Sequence, residues 1–302
     1  ISLLMGGLLQ VCDGSERSWR ATASFLEDDA GKEVAAFFSP LQEGVIRVLT
    51  VRHGMGHHNT WGTLGSVLHE DAKVNDCGKA QADVVGDFLR TSGITCALDL
   101  VVVSPFARAL QTACLLLTTA IGAAPDPERA LRAKHYDYRV EPVPSQPQFL
   151  KTMVQPLCAE QTMVISHLGR GNRGSIADKL LEHSEFCMFD FGELSRYCDA
   201  CGVTSKHPRS RGKWWHHGPD GSESEDSFRR RCVNLRQWLG DVGSGGARRV
   251  LMVSHGGVME EAFDCPATPP NCGFVVCDVW PCGATLRVST CEWVKGQRPA
   301  TS

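Results

Sequence analysis

Several large function classes leave no mark on this sequence. No Gly-rich nucleotide loop with its lysine occurs in the 302 residues, so the usual backbone cradle for nucleotide phosphates is missing. Charge of one sign is not in excess. Thirty-one basic residues meet 34 acidic ones for a formal net charge of -3, which gives no global field toward nucleic acid or an anionic membrane. Any anion site has to be local. The apolar opening, Ile1 to Val11, has no basic flank and is shorter than the roughly 20 residues a bilayer span needs. A chain that starts at Ile rather than Met leaves an upstream segment open. Paired metal-ligand spacings are missing too: Cys198 and Cys201 form one CxxC, with His207, His216 and His217 beyond it, and one such pair is not the four-ligand set of a zinc site. The expectation is no cofactor, no metal site, and neither nucleic acid nor membrane as a partner.

A hydrophobic fraction of 42% and a charged fraction of 22% are those of a globular chain with a sizeable core. The 14 cysteines fall mostly inside apolar runs and read as buried, reduced thiols, which points to the cytoplasm. The length exceeds the common domain size of about 150 residues, yet single α/β domains run well beyond it. One elaborated domain is expected over residues 45–295. Residues 1–44, with an interrupted helical pattern, read as an N-terminal extension or cap. Insertions are expected around 123–150 and 184–221.

Three apolar runs carry the organisation. Val45 to Val51 is a β-branched strand that stops at Arg52-His53-Gly54. Residues 76 to 91 form an amphipathic helix with Ala80, Val84, Val85, Phe88 and Leu89 inward, Asp76 as N-cap and Gly93 beyond its end. Leu98 to Val103 is a second strand, broken at Ser104-Pro105 and followed by helical composition from Ala107. Arg249 to Val253 is a third, ending at Ser254-His255-Gly256-Gly257 before another helical start. Two further strands, 274 to 279 and 284 to 290, complete the sheet. Strands alternating with helices imply a mostly parallel sheet covered on both faces, with ligands at the carboxyl ends of its strands. Those ends deliver His53, Arg108 and His255.

In number, order and context, Arg52-His53-Gly54 with Asn59, the stretch from Ser104 through Arg108 to Ala113, and Ser254-His255-Gly256-Gly257 resemble the motifs of the histidine phosphatase superfamily, in its RHG-motif branch. The resemblance runs from about Val45 to Thr290. It implies a three-layer α/β/α sandwich with a mostly parallel central sheet, the phosphoglycerate mutase-like fold. It also implies a phosphomonoesterase that works through a phosphohistidine on His53.

The residue types suit that chemistry. A phosphomonoester dianion needs two or more cations, and the guanidinium of Arg52 or Arg108 offers a planar fork that stays charged. A neutral imidazole is nucleophilic near neutral pH and splits one hard displacement into two easier ones. His255 opens a helix and stabilises charge, while Gly54 and Gly256 allow close approach of phosphate. Asn59 completes the anion site, and His58 is a candidate for the pocket wall. Leaving oxygen and attacking water both need a proton carrier. Similarity points to Glu160, with Glu141 and Glu182 as alternatives. The Cys-Asp-x-Gly-Arg-like stretch that follows the acid in the family is matched only partly, Ser166 and His167 standing where Cys and Asp belong.

The expected substrate is a small-molecule phosphomonoester, with a phosphoprotein as the other option, and Arg211 and Lys213 are candidates to face it. Trp214 and Trp215 read as core. Two rivals stand beside the phosphatase. One is a phosphoglycerate mutase, disfavoured because Met55-Gly56-His57-His58 departs from the Glu-Ser-x-Trp run typical of mutases; the other is a catalytically silent phospho-ligand-binding relative.

Overall fold

In the computed structural model the described residues are 16–60, 71–121, 150–165, 170–172, 175, 177–194, 196, 222–266 and 268–287. Glu16–Ser24 (α1) passes through a π-type turn, Phe25–Asp29, into Ala30–Phe38 (α2). Phe25, Leu26, Ala30 and Phe37 of this stretch are all buried. The wide π-type turn between the two helices is why no regular 3.6-residue period shows in the sequence here.

Ile46–Arg52 (β1) is followed by the single turn His57–Thr60 (α3) and the long helix Asp76–Thr91 (α4). Next come Leu100–Val103 (β2), Ala107–Ile121 (α5), Lys151–Val154 (β3), Met163–Ile165 (β4), Arg170–Asn172 (β5) and Ala177–Leu181 (α6). Glu225–Ser244 (α7), Arg249–Ser254 (β6), Gly256–Phe263 (α8), Phe274–Val279 (β7) and Thr285–Arg287 (β8) complete the order. The expected insertions fall largely outside the described residues, as do Trp214, Trp215, Arg211, Lys213 and the Cys198 to His217 group.

The main sheet has the order β3-β2-β6-β1-β7-β8. β6 lies parallel between β1 and β2, and β3 is parallel to β2, whereas β7 and β8 run antiparallel at the other end. Alternation along each strand makes the layers. Leu49, Val51, Val101, Val103, Leu251 and Val253 face one core with side chains of α2, α4 and α5. Ile46, Val48, Leu100, Val102, Val250 and Met252 face the other with α7 and α8. The result is a mixed α/β sandwich with a mostly parallel sheet at its centre.

Local chemistry sets the helix ends. Asn75, one residue before the expected cap, holds the N-cap position of α4, its side chain accepting from Gly78 N at 2.8 Å. Gly93 stops the chain with φ 78°, a left-handed conformation that glycine adopts without strain. Ser224 caps α7 by accepting from Ser227 N.

One buried ion pair ties the N-terminal helices to the sheet. Arg47, 1% exposed, pairs with Asp278 at 2.7 Å and donates to the carbonyls of Ala36 and Ser39 at the end of α2. The guanidinium thus neutralises Asp278 and satisfies carbonyls that the helix leaves open. The described cysteines are free thiols, six of them buried: Cys77, Cys158, Cys232, Cys265, Cys272 and Cys277.

Two glycines let the loop after β1 lie directly on α4. A Cβ on Gly54 would stand 2.6 Å from Gly78 O, and one on Gly78 would stand 2.1 Å from Met55 O. Both obstacles are backbone, so neither can rotate away. Gly78→Ala is therefore expected to cost about 1–3 kcal/mol or more of stability through forced separation of loop and helix. Urea unfolding followed by circular dichroism checks it, and an unchanged midpoint would contradict this packing.

Candidate active site

Because β6 sits between β1 and β2, the loops that leave these three strands converge. His53 continues β1 by one residue: its backbone N donates to Ser254 O at 2.9 Å, and its carbonyl accepts from Asn271 Nδ2 at 3.0 Å. Its ring is 3% exposed. Nδ1 lies 2.8 Å from Gly54 O, an acceptor only, so Nδ1 carries the hydrogen and donates it. The lone pair is left on Nε2, where Arg108 Nε donates at 3.3 Å.

The two arginines arrive from different elements. Arg52, at the end of β1, donates through Nη1 to Pro269 O at 2.8 Å. Arg108, in the first turn of α5, is 1% exposed and lies over the Phe106 ring at 4.3 Å, an apolar contact that still favours a cation. Thr112, one turn further on, donates to Arg108 O and accepts from Gly54 N at 2.9 Å, locking the β1 loop to α5.

His255 is fully buried, with its ring centroid 5.1 Å from that of His53 and Phe106 edge-on at the same distance. Ser104 Oγ lies 2.7 Å from His255 Nε2 and 3.4 Å from Phe106 N. Ser104 Oγ accepts from Phe106 N and shares one hydrogen with His255 Nε2; where the hydroxyl donates it, the imidazole hydrogen sits on Nδ1. Among the described residues that Nδ1 and Arg52 Nε are both buried without a hydrogen-bond partner. Buried nitrogens left in this way are costly unless an anion or another partner meets them.

The remaining expected residues are close by. His58 lies with its ring 5.5 Å from that of His53, and Asn59 Oδ1 accepts from Gly56 N at 3.0 Å, closing the short loop. Gly256 begins α8 beside Thr268, whose Cγ2 would be 2.4 Å from an added Cβ. Glu160 Oε1 would stand 2.6 Å from a Cβ on Gly257, which places the carboxyl against the first turn of α8. Glu182 is exposed at the end of α6, and Glu141 lies outside the described residues.

Electrostatics follow from burial. Desolvation, then the Arg108 charge, hold both His53 and His255 well below the ordinary imidazole value of 6.5. Both rings are neutral at neutral pH. Burial also lowers Arg108 to about 10 and lowers Arg52, against the opposing pull of Glu160, whose charge acts on both guanidiniums.

Sequence reading missed several supporting groups. Ser104 and Thr112 stand at a strand end and one helical turn after Arg108, positions that could have been read. Asn271 has no such signal. Asp71 accepts from Ala107 N at 2.9 Å and Ser175 N at 2.8 Å, capping α5, and burial raises its pKa. Both of its oxygens are taken by backbone, so it serves the helix that carries Arg108.

The sign of the pH dependence is fixed by these shifts. Unfolded imidazoles take up protons near 6.5, and the folded ones only well below it. As pH falls through 6.5 the unfolded state binds more protons, so the contribution is intact above that value and is lost below it. Melting temperature is expected to drop between about pH 7.5 and about pH 5.5, and the drop to be shallower in His255→Asn. Equal slopes in the two proteins would refute the neutral, buried pair.

Comparison with known proteins adds the kinship. Residues 48–137 match the Histidine phosphatase superfamily (branch 1) profile. Over 86 residues, 28% of this chain and 36% of the other, it is 36% identical to a broad-specificity phosphatase of Saccharomyces cerevisiae. The chain thus spans about a third of the length of that curated relative. Among solved structures, a phosphoglycerate mutase from Bacillus anthracis str. Sterne shares 18% identity over 82% of this chain and 95% of that one, with a TM-score of 0.47. An ecdysone phosphate phosphatase from Bombyx mori, in complex with tungstate, shares 16% over 77% and 88%, with a TM-score of 0.45. Residues 48–137, the stretch similar to the Histidine phosphatase superfamily (branch 1), hold Arg52, His53, Asn59 and Arg108.

Proposed function

We propose that the chain is a phosphomonoester hydrolase that works through a phosphohistidine on His53. The observation that carries this reading is the His53 ring itself: neutral, with Nδ1 committed to Gly54 O and the Nε2 lone pair turned toward the Arg108 guanidinium. A nitrogen so fixed needs no proton removed before it attacks, and a cation already stands where negative charge gathers. The orphaned donors at Arg52 Nε and His255 Nδ1 supply further hydrogen bonds to phosphoryl oxygens. Asn59 and His58 complete the wall, whereas the missing side chains of Gly54 and Gly256, expected to admit phosphate, make room for Gly78 and Thr268 instead.

The chemistry divides into two displacements. His53 Nε2 forms a bond to phosphorus as the ester oxygen leaves, and Glu160 in its acid form gives that oxygen a proton. Water then attacks the phosphohistidine, Glu160 as carboxylate takes its proton, and the N–P bond breaks to release phosphate. Glu160 fits because its carboxyl lies against α8 and its charge reaches both arginines. Guanidiniums do the neutralising that metal ions perform in other phosphoryl-transfer sites, so turnover in EDTA is expected to equal turnover without it. Small-molecule phosphomonoesters are the proposed substrates, in keeping with the breadth stated in the yeast relative's name. The buried free thiols fit a reducing compartment such as the cytoplasm.

Turnover of p-nitrophenyl phosphate by wild type and His53→Ala, with labelled substrate quenched in alkali, tests the reading. Wild type is expected to give a base-stable, acid-labile phosphoenzyme and inorganic phosphate. The variant is expected to give no phosphoenzyme and a kcat at least about 10³-fold lower. Full activity in His53→Ala would sink it.

A further inference from the structure

We infer that Arg231 is a positioning residue that aims the Glu160 carboxyl. The inference rests on the acid role proposed for Glu160 and adds the device that holds it. Glu160 sits on no helix or strand; it follows the single turn Pro156–Cys158, in a stretch whose own backbone bonds are few. Its carbonyls are instead captured from outside. Arg231 Nη1 donates to Leu157 O at 3.0 Å and to Ala159 O at 2.6 Å, and Nη2 donates to Glu160 O at 3.3 Å. Ser254 Oγ, in the residue before His255, donates to the intervening Cys158 O at 2.7 Å. Four consecutive carbonyls are thereby fixed to α7 and to the end of β6.

The guanidinium is fixed in turn. Glu223 takes Nε at 2.9 Å and Nη2 at 2.6 Å in a bidentate pair, and the Phe228 ring lies 5.0 Å from the guanidinium carbon. Arg231 is 8% exposed and Glu223 6%. All five N–H groups of Arg231 are thus accounted for, two by the carboxylate and three by the Glu160 loop. Such a donor set is more than one ion pair needs to be stable, since a buried pair could be replaced by apolar side chains. What only the planar fork supplies is a rigid grip on the carbonyls of Leu157, Ala159 and Glu160 at once. The loop is held where the Glu160 carboxyl meets Gly257 at the start of α8.

Leaving-group dependence separates positioning from mere support. p-Nitrophenolate departs without much help, whereas the more basic phenolate of phenyl phosphate needs a proton from the acid. We define the ratio of kcat/KM for p-nitrophenyl phosphate to that for phenyl phosphate and compare it in wild type, Glu160→Gln, Arg231→Lys and Glu223→Gln. The ratio is unaffected by the folded fraction, because both substrates meet the same enzyme. Glu160→Gln is expected to raise it strongly. Arg231→Lys, which keeps the charge and loses the fork, is expected to raise it about 10-fold, part of the 10²–10⁴-fold that positioned proton transfer contributes. Glu223→Gln, which loosens the anchor, is expected to raise it less. An unchanged ratio in Arg231→Lys and Glu223→Gln, with a raised one in Glu160→Gln, overturns the positioning role alone. An unchanged ratio in Glu160→Gln overturns the acid assignment on which it rests.

Discussion

The candidate site depends on two desolvated guanidiniums held beside a histidine whose pKa burial lowers. The charges of Arg52 and Arg108 act on the His53 ring from two elements, and desolvation lowers the pKa of all three. Charges of one sign kept so close are tolerated because each is tied elsewhere: Arg52 to Pro269 O, Arg108 to the face of Phe106, with Glu160 acting on both. The packing of the loop on α4, the Thr112 bridge and the Asp71 cap on α5 all keep these cations from spreading apart. Stability is spent to hold a concentrated positive field, of the kind an anion would neutralise.

Much of this could be read from residues alone. β1, β2 and β6 are short β-branched runs bounded by breakers, and each hands over to a loop carrying one phosphate-competent group. Their convergence followed from the rule that ligands gather at the carboxyl ends of such strands. The amphipathic period of α4 was clear because the helix buries one stripe against the sheet.

What escaped was whatever depends on contacts between distant residues. The helices of residues 16–38 bend through a π-type turn and end on the Arg47 guanidinium, and neither feature has a local period. The α4 cap falls on Asn75 because its side chain reaches Gly78 N, a geometric choice between two adjacent cap-forming residues. The tautomers of His53 and His255 depend on Gly54 O and Ser104 Oγ, which no spacing rule reveals. Glu160 came only by resemblance, since nothing in Pro156 to Glu160 marks a carboxylate whose loop is held by residues 223, 231 and 254.

The position of β6 has a consequence for how the molecule is made. A ribosome delivers β1, α4 and β2 well before it delivers Arg249–Ser254, yet β1 and β2 do not touch each other in the sheet; both wait for β6 to come between them. Until then each presents an unpaired edge, and the two basic loops have no third wall. Closure of the sheet is therefore a late, long-range event, of the kind that is slow because distant segments must first meet. The concentrated field around His53 is complete only once β6 has joined β1 and β2.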